Sequence, residues 1–216
     1  MSITPETVLE TLRRSADPEK ASALSDRAGR SEALGVPPQV LENFAREWRQ
    51  EVGFPDRLDL ARALWAEPVF EASLMAAKLL TQARISDDTA VWDQICTWIS
   101  EAETWAELDV LAGAGARRIA VDLSRMAVVH DLAKSERALD RRAALGLSLP
   151  LAKLAHPTED EVSAIDDVLY WLTYALQDPD KDVSRMADSW LKSLGKHDRK
   201  RASMVRRVVQ SRTNDR

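Results

Sequence analysis

The chain has 216 residues, 45% of them hydrophobic, 30% charged and 6% aromatic, which suffices for one globular domain, or two small ones, with a sizeable core. Thirty Lys/Arg against 35 Asp/Glu leave a net charge of −5 and a pI near 5.4, which excludes a uniformly basic nucleic-acid binder. The mean hydropathy of −0.31 and the short uncharged stretches, such as 168–177, exclude a membrane span of roughly 18 apolar residues.

From the N-terminus, Met1-Ser-Ile-Thr-Pro-Glu-Thr-Val-Leu-Glu10 opens a capped amphipathic pattern. A basic flank followed by an apolar run is missing, so a cytoplasmic protein is expected. Seven glycines are less than half the usual share of about 7%, and the absence of Asn-Gly or Asp-Gly pairs leaves hairpins without turns. Prolines instead follow plausible caps, as in Thr4-Pro5, Asp17-Pro18, Val36-Pro37-Pro38, Phe54-Pro55, Glu67-Pro68, His156-Pro157 and Asp178-Pro179, where Pro suits a first helical turn. Helices are therefore expected near 5–15, 18–28, 37–51, 57–66, 68–84, 87–100, 103–112, 115–133, 136–154, 158–177, 181–194 and 198–211, with Pro150 ending or kinking the ninth. The single Cys96 excludes an intrachain disulfide, and His130, His156 and His197 lack metal-ligand spacing; no metal and no cofactor is expected.

Within these segments apolar residues recur at three and four, as in Leu60, Ala63, Leu64 and in Val168, Leu172, Ala175, Leu176, the spacing of a helix face. The similar segments Asp140-Arg-Arg-Ala-Ala144 and Asp182-Val-Ser-Arg-Met186 start 42 residues apart, within the roughly 40–47-residue period of HEAT-type helix pairs. An all-α, HEAT-like helical-pair solenoid over 1–216, with a concave binding face, is the expected fold class. Its last stretch, 196–216, holds eight Lys/Arg against two Asp, a net of +6, which leaves −11 for residues 1–195 (22 Lys/Arg against 33 Asp/Glu).

Seven of the twelve aromatics are tryptophans. Trp92 and Trp171 lie on apolar stripes and are expected in the core. Trp105 differs, because Asp109 follows four residues later and shares its helix face. An indole beside a carboxylate suits a cation, which the ring face attracts and the carboxylate neutralises.

The chain resembles the helical-repeat DNA alkylation repair glycosylases, the AlkD-like family, over about 33–198. The resemblance rests on Ala33-Leu-Gly-Val-Pro37, the segment 64–77, Trp105-Ala-Glu-Leu-Asp109, Asp140-Arg-Arg-Ala-Ala144 and the segment 181–196 with its Asp-Ser-Trp190-Leu. It implies that Trp105, Asp109 and Trp190 line a cleft for the damaged nucleotide, and that Arg142, or its neighbour Arg141, assists there. It also implies that the base need not be extruded into a pocket.

Alkylation at N3 or N7 places positive charge on a purine and weakens its bond to deoxyribose. Asp109 is then suited to stabilise the oxocarbenium-like sugar and orient water, and the two indoles to exclude solvent. Phosphate contacts are expected from Arg117, Arg118, Arg141, Arg142, Arg185, Lys192 and Lys196, and from the tail with Arg199, Lys200, Arg201, Arg206 and Arg207. Met204, Val205, Val208 and Val209 are suited to dock that tail. The expectation is a monomeric, metal-free glycosylase for alkylated purines in double-stranded DNA; the alternative is a non-catalytic helical-repeat module that binds nucleic acid or protein. Charge segregation would favour the enzyme, with Arg117, Arg118, Arg142, Arg185 and Lys192 on the face of Asp109.

Overall fold

The computed structural model describes residues 3–25, 29, 32–54 and 56–214. Among them the helices are α1 (Pro5–Arg14), α2 (Pro18–Ser25), α3 (Pro38–Glu51), α4 (Asp56–Trp65), α5 (Phe70–Leu79), α6 (Thr89–Glu101), α7 (Trp105–Ile119), α8 (Met126–Ala133), α9 (Ala138–Ser148), α10 (Glu159–Ala175), α11 (Lys181–Leu194) and α12 (Arg199–Asn214). The all-α expectation holds: the described residues contain no strand, only one isolated parallel bridge between Glu32 and Val69. None of the described helices is long and apolar enough to cross a membrane. Residues 26–28 of the second expected helix, Pro55, and residues 215–216 of the basic tail lie outside the described residues.

Local chemistry sets most boundaries. Thr4 and Thr7 form a reciprocal capping box with Pro5 in the first turn of α1, and Thr158 and Glu161 form another at α10, each satisfying amides that an open helix end leaves unpaired. Asp180 accepts from the amides of Asp182 and Val183 and starts α11. Pro150 carries no amide hydrogen and follows the end of α9, so the expected helix 136–154 closes with a 3-10 turn, Leu151–Lys153.

One expected break is misplaced. The spacing puts a helix end at 112, but α7 runs on through Gly113 and Gly115 to Ile119. Each interior glycine costs about 1 kcal/mol relative to alanine. Leu108, Leu111, Ala112, Ala114, Ala116 and Ile119 are all buried along this helix, and burying the larger of them contributes roughly 1.5–3 kcal/mol apiece. The chain turns instead at Asp122, whose carboxylate accepts from the Ser124 amide at 3.0 Å.

The contacts divide the chain into two compact units, 1–114 and 115–216, with the boundary inside α7. In the first unit α5 packs against α3 and α4, and α1 against α4. Ala72, Ala76 and Ala77 of α5 are fully buried, as are Leu12, Leu64, Met75 and Ile95; small residues let the helix backbones approach closely. Trp65 stacks on Trp98 with ring centroids 4.8 Å apart, and its indole N–H donates to Glu101 at 2.8 Å. In the second unit α9 packs against α8 and α11, and α12 against α10 and α11. Trp92 and Trp171 are buried, as their stripes predict.

Candidate active site

The site begins at the first turn of α7. Thr104 and Glu107 face each other across that turn: Glu107 Oε2 accepts from the Thr104 amide and hydroxyl, both at 3.1 Å, and the Glu107 amide donates to Thr104 Oγ1 at 3.2 Å. The same carboxylate oxygen accepts from the Glu103 amide at 3.1 Å, and Oε1 lies 2.7 Å from Ser73 Oγ on α5. Glu107 is fully buried, so its charge is offset by this ring of donors. The result is a rigid start to α7, tied to α5, that presents Trp105 with 44% of its surface exposed and the exposed Asp109 one turn later.

Trp105 and Asp109 border a cavity of about 560 Å3 inside the first unit. Its walls are mainly apolar, from Val36, Pro37 and Leu41 on one side and Leu74 on another, with the Lys20 and Lys78 side chains also reaching it. The 34–36 wall is held by Glu71, buried on α5. Its carboxylate accepts three backbone hydrogen bonds, from Leu34 at 2.8 Å, Gly35 at 2.7 Å and Val36 at 3.2 Å. Gly35 takes φ +75, and a Cβ there would lie 2.2 Å from the Asp17 carbonyl oxygen. Only glycine permits both that conformation and that approach. Glu71 spends its oxygens on the backbone, which makes it a structural anchor of the cavity wall.

The two lysines at the cavity are neutralised. Lys20 pairs with Asp17, and Lys78 donates to Glu42 at 2.8 Å. The hydrogen bond from Lys78 holds the Glu42 carboxyl below the usual range, helped by Arg49. Among the described residues no group of three or more His, Cys, Asp or Glu is arranged to hold a metal ion.

The remaining expected site residues lie in the second unit, and several have other duties. Trp190, expected to line a cleft, is completely buried, and its indole N–H donates to Ser148 Oγ at 3.2 Å. It is a core residue with a satisfied polar edge, and offers no surface to a nucleotide. Arg118, expected to reach phosphate, is likewise fully buried. Arg141 is fixed on Asp178 by two bonds of 2.7 and 2.9 Å and donates to the Ser135 and Glu136 carbonyls. This fork geometry occupies the guanidinium. Arg142 is half-buried and donates to the Asp182 carbonyl at 3.1 Å. Arg117, Arg185, Lys192 and Lys196 are exposed, with Arg185 near Asp182 at 3.6 Å and Lys192 near Asp188 at 3.0 Å.

Over residues 8–204 the sequence matches the family described as DNA alkylation repair enzyme. The chain belongs to that family. A similar fold is seen in the X-ray crystal structure of AlkD2 from Streptococcus mutans, with a TM-score of 0.64 and 16% identity, covering 96% of this chain and 89% of that one. At that identity the likeness is one of fold, and it supports the HEAT-like class expected from the sequence. No curated protein matches the sequence.

Against this family background, Glu107, Glu71 and Gly35 are the residues that the sequence reading missed. The first had a signal, since Thr-x-x-Glu ahead of an apolar run is a helix-start signature. The other two had none, because Glu71 meets its partners 35 to 37 residues away.

Proposed function

We propose that this DNA alkylation repair enzyme is a monofunctional glycosylase that hydrolyses the N-glycosidic bond of cationic N3- or N7-alkylated purines in double-stranded DNA. The reading is carried by the half-exposed Trp105 and the exposed Asp109 on one face of α7, held there by a buried capping box. The alkylated base is already positively charged and leaves as a neutral purine. The demand on the protein is stabilisation of the positive charge that develops on deoxyribose. Asp109 supplies a carboxylate for it and an acceptor to orient the attacking water, while Trp105 packs against the sugar and limits solvent. Trp190 has no part in this chemistry.

Duplex DNA is held by phosphate contacts from exposed cations, for which Arg117, Arg185, Lys192 and Lys196 remain available and Arg142 in part. The burial of Trp190 and Arg118 and the closed Arg141–Asp178 pair favour a second reading, a DNA-binding module without base release.

The deciding experiment is release of 7-methylguanine or 3-methyladenine from methylated duplex DNA. Release by the wild type above the spontaneous rate, lowered about 10²–10³-fold in Asp109→Asn, is the expected result. Release no faster than the spontaneous rate removes the glycosylase reading and leaves the binding module.

A further inference from the structure

The last helix divides its cations into two sets. Arg201 is drawn inward, donating at 2.8 Å to Asp166 of α10 and at 2.8 Å to Asp198, and the hydrogen bond it gives to Asp166 is the largest cause of its raised pKa. Arg212 sits 4.3 Å from the centre of the Tyr174 ring and donates to Thr173 Oγ1 at 2.8 Å. Between them Ala202 and Val205 are buried, with Val208 and Val209 half-buried. These contacts seat α12 firmly on α10 and α11, largely as the apolar pattern of the tail predicts, although Met204 stays exposed.

The outward set is Arg199, Lys200, Arg206 and Arg207, all exposed. No ion pair engages any of them among the described residues, in contrast to Arg185 and Lys192 on α11. Arg199 and Arg206, and Lys200 and Arg207, are seven residues apart, two helical turns or about 10.5 Å. They form two parallel rows on the outer side of the helix, and no acid interrupts the helix between 199 and 212. Elsewhere the chain carries −11 over residues 1–195, so this ridge is a local reversal of the overall sign.

We infer that the outer face of α12 is an electrostatic docking surface for the phosphate backbone of duplex DNA. It deepens the proposed function and rests on duplex DNA being the substrate. A seated helix with cations already aimed outward loses little conformational freedom on contact, and unpaired cations release counterions from DNA without first breaking ion pairs. The surface contributes affinity and salt dependence and carries no base chemistry.

The test is fluorescence anisotropy of the full chain with an unmodified labelled duplex, titrated across salt concentrations. Replacing Arg199, Lys200, Arg206 and Arg207 together by Gln should make the log K against log[salt] slope shallower by about 3–4 and weaken binding about tenfold or more near 0.1 M salt. Arg206→Gln with Arg207→Gln, placed mid-helix, should remove about 2 from the slope while the thermal melt is unchanged, which keeps the test valid if the quadruple variant folds poorly.

An unchanged slope in the double variant overturns the inference, as does a wild type that ignores the duplex at low salt or prefers phosphatidylserine vesicles to it. Base release by the wild type is scored separately. Release with an unchanged slope defeats the role of α12 alone, whereas a changed slope without release defeats the glycosylase reading alone.

Discussion

Glu107 and Thr104 hold each other across the first turn of α7, the amide of each donating to the side-chain oxygen of the other at 3.1 and 3.2 Å. The pair decides where α7 starts, and therefore that Trp105 is its first residue and Asp109 stands one turn further on the same face. Because Glu107 also sits 2.7 Å from Ser73, the direction of both candidate groups is set by α5 as well as by their own helix.

Glu107→Ala should cost about 2–4 kcal/mol, since it strips a cap and takes the acceptor from the buried amide and hydroxyl of Thr104. Glu107→Gln keeps the capping geometry and should cost about 1–2 kcal/mol. Urea unfolding of the three proteins measures the difference; equal midpoints for Ala and Gln would contradict the bonding scheme.

Two glycines should respond in opposite directions. Gly35→Ala introduces a Cβ 2.2 Å from the Asp17 carbonyl at φ +75 and should destabilise by more than about 2 kcal/mol. Gly113→Ala, inside α7 with nothing within 4 Å of the new methyl, should stabilise by about 0.5–1 kcal/mol. Thermal melts of the two variants read both signs directly.

Arg141 and Asp178 give the second unit an acid-sensitive element. Burial alone would raise the Asp178 pKa, but the bonds from Arg141 and from the Asp180 amide outweigh it and hold the carboxyl below its ordinary value. A group depressed in the folded state stabilises at pH values above its unfolded pKa and loses that contribution as pH falls through the folded one. Asp178→Asn should therefore lower stability by about 3 kcal/mol at pH 6, with the gap to wild type closing as pH drops below about 4. Urea midpoints between pH 6 and 3 follow the closure; a gap that is constant with pH would show that the pair carries no such linkage.

Trp105 and Trp190 should separate stability from chemistry. Trp190→Ala opens a void in the core and should cost about 3–5 kcal/mol. Trp105→Ala, at a residue 44% exposed, should cost under about 1.5 kcal/mol while slowing base release at least about tenfold. The comparison needs melting curves beside the release assay. Base release lost in Trp190→Phe at unchanged stability would restore the role first expected of Trp190.

Local patterns made a good part of the molecule legible. The three-and-four apolar spacing and the prolines at helix starts marked most of the described helices, because a helix closes its hydrogen bonds within four residues and takes its face from its own period, though the expected 115–133 ran the end of α7 and all of α8 together. The same logic put Trp105 and Asp109 together. The end of α7 lies beyond the expected 112, because local spacing does not show the buried stripe that carries the helix through Gly113 and Gly115, which is a tertiary property.

By itself, then, the sequence determined the all-helical class, the family, and the shared face of Trp105 and Asp109, all of which follow from residues close together in the chain or from ordered motifs. Only the tertiary structure decided which polar and amphipathic side chains were spent. Trp190 vanished into the core against Ser148, 42 residues away, Arg141 closed on Asp178, 37 residues away, and Glu71 captured the 34–36 backbone. Helical periodicity says which way such a side chain points but not what lies in its path, and the cost of leaving a buried charge or amide unpaired makes that partner decisive.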